Sequence, residues 1–309
     1  MDRTRLRRRR PQVVASALGA MLLITMLGTT TVAAAAPTDA ATPMVLQNVP
    51  LEDIVNNRLG ICDGNFTHAI KNAAGPNNVR NYLNAAQKCG LKVIFTFPET
   101  VNYVNGNVNP SRVAYWVDLV KGHPALFGYL SVKEPSWHGI TAAEIRSLYS
   151  AFRQADATHP VIALLGDTPN FDSTRNPWRA GMADILAVDW YPIETARGGC
   201  SSSGTSYVST GPKNLAAVRD IVARKTPGTP IWMMAQTHKN LAPNCHKKQR
   251  PTQALLRRQV REAFTYLGAT GMAFHTWTNT NYAMDQRRDP TMVSWLKAIA
   301  DEIHAGSFQ

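Results

Sequence analysis

Several signals that would point elsewhere are missing or scarce in this chain. It has only four cysteines in 309 residues, and no two of them are spaced as the C-x-x-C of a zinc or redox site. No serine lies in a G-x-S-x-G turn, which argues against an esterase of the usual hydrolase fold. No glycine-rich phosphate loop follows any candidate strand, so the open, doubly wound nucleotide-binding sheet loses its main support. Internal repeats and low-complexity blocks are also absent. His138, His238 and His275 lack any paired metal-ligand spacing, so no metal and no cofactor is expected.

What is present begins with an N-terminal segment of distinct character. Arg3, Arg5 and Arg7 to Arg10 precede a stretch of apolar and small residues from Val13 to about Val32, and Ala33 to Ala36 offer a small-residue cleavage site. That is the layout of an export signal. A signal anchor is the competing reading, because the stretch approaches membrane-spanning length. Its Thr and Gly content and terminal alanines favour cleavage, with the export pathway left open. The expected organisation is a signal peptide over 1–36, a short tether over 37–43 and one domain over 44–309. Cleavage after Ala36 leaves 273 residues, and removing six arginines and one aspartate lowers the net charge from +12 to +7. A scattered excess of this size reads first as solubilising charge and second as weak attraction to an anionic surface. Nucleic acid is not an expected partner. No membrane span is expected after cleavage, and the expected state is a monomer. All four cysteines fall in the exported part, where an even count points to two disulfides.

Beyond the tether, apolar strand-like runs alternate with helical stretches. The strands are read at Leu59–Cys62, Lys92–Phe97, Leu126–Val132, Val161–Leu165, Ile185–Val188, Ile231–Ala235 and Met272–Thr276, with Met44–Asn48 as a short first one. Most are continuous apolar runs, as in parallel strands covered on both faces. Between them, Val113, Val117 and Val120 repeat at helical spacing, as do Ile145, Leu148 and Phe152. Leu256, Val260, Ala263, Phe264 and Leu267 do the same before Gly268. The pattern predicts an α/β fold, a (β/α)8 TIM barrel in a single domain. Such barrels work at the C-terminal ends of their strands. Those ends read Asp63 and Asn65, Glu99, Glu134, Asp167, Asp189, Gln236 and Trp277.

Phe127-Gly128-Tyr129-Leu130-Ser131-Val132-Lys133-Glu134-Pro135-Ser136-Trp137 resembles the fourth strand of clan A glycoside hydrolases. In that family a Glu-Pro pair ends the strand and the Glu is the general acid/base. Asp189-Trp190-Tyr191-Pro192 resembles the sixth strand end. Pro230 to Gln236 resembles the seventh, and Gly268 to Trp277 the eighth, where a Trp floors the sugar site. The resemblance spans about residues 58 to 300 and implies a secreted protein whose partner is a carbohydrate.

Breaking a glycosidic bond needs one carboxylic acid to protonate the leaving oxygen and a second carboxylate as nucleophile or base. The resemblance makes Glu134 the acid. An acid catalyst must stay protonated, which apolar surroundings favour, and Tyr129 and Trp137 are its near neighbours in sequence. Two departures stand out. Lys133 occupies a place where relatives carry Asn or Asp. Gln236 replaces the Glu nucleophile of the seventh strand, and an amide cannot attack. Asp189 is then the candidate second carboxylate, with Glu99 and Asp167 in reserve. Asp189 also reads as a holder of a substrate hydroxyl, and Gln236 as a residue positioning a substrate whose own group attacks. A barrel that binds glycan without cutting it fits the same departures.

Trp137, Trp190, Tyr191 and Trp277 are the candidate stacking platforms, since aromatic faces suit the C–H faces of sugar rings. Asp63, Glu99 and Gln236 complete the candidate substrate contacts. Trp116, Trp232 and Trp295 read as core. The stretches Ala196 to Gly211 and Lys239 to Pro251 read as long loops after strands six and seven. They hold Cys200 and Cys245; the four cysteines, Cys62 and Cys89 included, allow three pairings that sequence alone does not choose among, and the barrel reading favours Cys200 with Cys245.

Overall fold

The computed structural model describes residues 41–166, 178–195, 205–207, 209–240, 249–279 and 282–308. The export-signal segment, Asp167, Cys200 and Cys245 lie outside them. Eight strands form one closed, all-parallel barrel, the α/β TIM-barrel class that the sequence predicts. They are β1 (Met44–Gln47), β2 (His68–Asn72), β3 (Lys92–Thr96), β4 (Leu126–Lys133), β5 (Val161–Leu165), β6 (Ile185–Trp190), β7 (Ile231–Gln236) and β8 (Gly271–His275). Each strand pairs with the next in chain order, and β8 closes on β1 through Met44 with Met272 and Leu46 with Phe274.

Around the ring lie α1 (Leu51–Val55), α2 (Pro76–Lys88), α3 (Pro110–Val120), α4 (Ala142–Ala155), α5 (Gly211–Lys225), α6 (Gln253–Glu262) and α7 (Pro290–His304). Their starts follow from local chemistry. Thr141 and Glu144 form a reciprocal capping box at α4, which satisfies two otherwise orphaned amides. Pro110 opens α3 while the Asn109 side chain accepts from the Arg112 amide. Val113, Trp116, Val117 and Val120 then face the barrel as one buried stripe. At the end of α6, residues Ala263–Leu267 form one wider turn, closed by Gly268 at φ 68°, a left-handed position glycine takes without strain.

Side chains alternate across each strand, so two apolar layers result. One lies between strands and helices and includes Leu46, Phe95, Val132, Val188, Ala235 and Phe274. The other fills the barrel with Val45, Ile70, Ile94, Leu130, Ile162, Ala187, Trp232, Met234 and Ala273. Trp232 stands among the His68 and Phe127 rings, whose centroids lie 6.0 and 5.6 Å from its own.

Three expectations change here. Leu59–Cys62 is not a strand: Leu59 and Gly60 have φ of 53° and 67°, which no extended strand accommodates. The run is a turn whose Ile61 is buried, and the true second strand is the more polar His68–Asn72. Asp63 and Asn65 consequently sit in the connection entering β2, at the end of the barrel opposite the strand C-termini. Asp63 accepts from Lys297 at 2.8 Å and Asn65 donates to Asp301 at 2.7 Å, so both staple the last helix. Tyr129 faces the helices, with its hydroxyl donating to Asp156 at 2.6 Å, and gives Glu134 no apolar cover inside the barrel. Cys62 and Cys89 are joined in a disulfide.

Candidate active site at the barrel mouth

One alternation step beyond the inner apolar residues, nearly every strand delivers a polar side chain to the C-terminal mouth. Val45 leads to Gln47, Ile70 to Asn72, Ile94 to Thr96, Ala187 to Asp189 and Ala273 to His275. On β4 the register shifts between Leu130 and Val132, and Lys133 joins the set. Gln47, Thr96 and Asp189 are buried, so the mouth has a polar floor resting on the apolar barrel interior.

Lys133 closes β4 beside this floor. Its ammonium reaches past the end of β3 and donates to Asn72 Oδ1 at 3.1 Å. Burial pushes its pKa down from the usual lysine range, and the negative charges of Asp189 and Glu134 partly oppose this. The two carboxylates proposed from the sequence therefore act on one cation. Asp189 ends β6 and accepts from the Tyr191 hydroxyl at 3.0 Å.

Glu134 follows β4 directly. Its amide donates to Leu164 O at 2.7 Å, and its carbonyl accepts from the Trp137 amide. Its backbone is left-handed, φ 44° and ψ 53°, immediately before Pro135. A non-glycine residue in that region is strained, and such strain gathers at functional sites. Trp137 is 75% exposed on the rim, leaning over Gly166 at the end of β5. Tyr103 lies against the Lys133 backbone, and burial raises its phenol pKa. Its ring meets His138 at 4.9 Å.

His275 went unassigned in the sequence, yet it is part of the floor. Its Nδ1 is hydrogen-bonded to Gln47 Oε1, and its ring stacks on Tyr191 with centroids 5.4 Å apart. Burial holds the imidazole pKa well below the usual range, and the His238 and Lys133 charges add to this. Donation from Nδ1 to Gln47 leaves Nε2 as an acceptor in the neutral ring. The Nδ1 of His238 pairs with the His275 carbonyl at 3.1 Å. Among the described residues, no group of three His, Cys, Asp or Glu is arranged to hold a metal ion.

Other sequence candidates stand elsewhere. Trp190 follows inward-facing Asp189 and so faces outward, buried against α5, where a side chain on Gly211 would approach it to 3.0 Å. Trp277 is fully buried and donates its indole N–H to Asp53 at 2.7 Å. Neither presents a face to a sugar in the mouth. The Gln236 amide is engaged by backbone on both sides: Oε1 accepts from Ile193 N at 3.0 Å, while Nε2 donates to Ile193 O at 2.9 Å and Gln249 O at 2.7 Å. It ties the connections after β6 and β7 together. Glu99 lies on the rim after β3, half-exposed, 3.7 Å from Arg112, and lines an open cavity of about 590 Å³ with Asn102 and Tyr103.

Comparison with known proteins places this architecture. No protein-family model and no curated protein sequence matches the chain. Among solved structures it is similar to a β-galactosidase from the psychrophilic Marinomonas ef1, with TM-score 0.57 and 12% identity over 86% of this chain and 60% of that one. A β-galacturonidase from Eisenbergiella tayi superposes with TM-score 0.57 at 11% identity, over 85% of this chain and 51% of that one. A Bacteroides thetaiotaomicron protein provisionally assigned as an α-L-fucosidase is matched along its whole length, with TM-score 0.56, 10% identity and 95% of this chain. The chain thus spans only about half to three fifths of the first two. The fold is the parallel βα barrel found in glycoside hydrolases.

Proposed function

We propose that the chain is an exported glycoside hydrolase acting on O-glycosidic bonds of a polysaccharide or cell-wall glycan. Glu134 is the proton donor and Asp189 the second carboxylate. The observation that carries this reading is that Glu134, directly after β4, and Asp189, near the end of β6, both stand at the C-terminal mouth of one closed barrel. The strained backbone of Glu134 and the exposed rim indole of Trp137 support it. With the Gln236 amide bound to backbone, attack falls to Asp189 or to a water it activates. Tyr191 holds the Asp189 carboxylate by a hydrogen bond, and Trp137 offers a stacking face for a sugar ring. The N-terminal signal layout and the Cys62–Cys89 bridge support export.

The test is release of reducing sugar from a glycan panel by the wild type and by Glu134→Gln. Loss of a positioned acid should lower turnover by about 10²–10⁴-fold. Equal rates would remove Glu134 from the chemistry. One observation favours a second reading, a glycan-binding barrel without activity: the seventh strand ends in an amide already committed to the backbone. Tight binding on a glycan array with no turnover on the same glycans would select it.

A further inference from the structure

Lys133 is the residue of the mouth that glycoside cleavage does not use. A lysine amine becomes a nucleophile where the protein removes it from water, and such lysines form Schiff bases with carbonyl compounds. The surroundings of Lys133 supply what that chemistry needs. The side chain ends in the barrel mouth rather than on the outer surface, its Nζ held by Asn72 at 3.1 Å. The charged and titratable groups bearing on it are Asp189, Glu134 and His275. Burial lowers its pKa from the usual lysine range, against the opposing pull of Asp189 and Glu134.

We infer that Lys133 is an amine nucleophile that forms a Schiff base with a small carbonyl compound, such as an open-chain sugar aldehyde, entering the barrel mouth between Glu134 and Asp189. The ammonium first passes a proton to the Glu134 carboxylate, and the freed nitrogen lone pair forms the C–N bond while the carbonyl π pair moves onto oxygen. Glu134 protonates that oxygen, and the nitrogen passes a proton to Asp189. In the second step Asp189 returns the proton to the carbinol oxygen, the C–O bond breaks, and water leaves as the nitrogen pair closes the C=N bond. The product is an iminium cation facing two carboxylates. It takes the place of the resting ammonium with the same charge balance, so the carboxylates that hold the ammonium also hold the intermediate. No oxidant or reductant is consumed. The activity is separate from glycoside cleavage and needs no glycosidic bond.

The test is reductive trapping of the whole protein with glyceraldehyde and cyanoborohydride, followed by peptide mass spectrometry of every lysine in one sample. Positioned proton transfer contributes about 10²-fold or more, so Lys133 should be alkylated faster than the solvent-exposed lysines by about that factor. In Glu134→Gln the rate at Lys133 should fall at least about tenfold, while the rates at exposed lysines in the same digest stay unchanged and an unshifted thermal melt reports an intact fold. Labelling at Lys133 no faster than at the surface, or no labelling there, overturns the inference. An unchanged Lys133 rate in Glu134→Gln does so as well. Because no glycan enters the assay, a protein that cleaves no sugar can still pass it, and a working glycosidase can fail it.

Discussion

Glu134 shows most plainly what this chain gives up to build its site. A left-handed, non-glycine backbone costs about 1–2 kcal/mol, and here it precedes Pro135, which limits relaxation. Glu134→Gly removes that strain and should leave the melting temperature no lower while abolishing hydrolysis. A marked drop in melting temperature would instead give the carboxylate a structural role. Trp137, three-quarters exposed, makes no comparable contribution to the fold. Trp137→Ala should raise KM about fivefold with kcat nearly unchanged, since one stacking contact is worth about 1 kcal/mol; steady-state kinetics on an oligosaccharide reads this directly, and an unchanged KM would remove the platform. The place of Glu134 directly after β4 was legible because the Glu-Pro pair ends an apolar run. Trp190 and Trp277 were not, because strands covered on both faces carry apolar residues on both sides, so composition does not say which side a tryptophan takes. His275 and Asn72 were missed for a related reason: a lone polar residue closing a strand looks the same whether it meets water or a substrate.

Among the elements, β4 bears the tightest constraint. A side-chain carbon at Gly128 would stand 2.3 Å from the Pro160 carbonyl oxygen, and the backbone leading into β5 cannot swing aside as a side chain can. Gly128→Ala should therefore destabilise by about 1–3 kcal/mol, read as a lowered denaturation midpoint. It should also displace Lys133 and Glu134 and so lower turnover. The disulfide gives an independent check on the β2 end of the barrel. Cys62 and Cys89 are 27 residues apart, so opening that loop should cost about 3.5 kcal/mol by the chain-entropy argument. Cys62→Ala measured by urea denaturation tests this, and a loss near zero would contradict the bridge. β2 itself escaped the sequence because His68, Lys71 and Asn72 leave only Ala69 and Ile70 as an apolar signal. Its polar residues have defined places: His68 packs inside the barrel and Asn72 holds Lys133. The apolar run Leu59–Cys62 drew the assignment instead, because a buried turn residue such as Ile61 gives the same local signal as a strand.

For the whole molecule, alternation of apolar runs with helical periodicity pointed to a parallel α/β fold covered on both faces, and the missing glycine-rich phosphate loop, with polar residues ending strands all round the sheet, pointed to a closed ring. The closed ring also makes the interior dry, and His68 records this. Burial, with the Lys92 charge adding to it, lowers the His68 pKa from 6.5 to about 4. The unfolded chain thus binds a proton between those values that the folded barrel refuses. The His68 contribution to stability is complete above pH 6.5 and is lost as pH falls toward 4, on the order of 3 kcal/mol in all. Melting temperature should decline over that window in the wild type and decline less in His68→Phe; identical profiles would contradict the assignment.

The central claim is that closure of the ring brings Glu134 and Asp189 to one opening, on either side of a scissile glycosidic bond. A crystal structure of Glu134→Gln soaked with an oligosaccharide tests it most directly. The account predicts a sugar in the mouth, its glycosidic oxygen within hydrogen-bond reach of the residue 134 amide and the Asp189 carboxylate across the same ring. An oligosaccharide bound on the outer helices, or one in the mouth with Asp189 out of reach of its anomeric carbon, would contradict it.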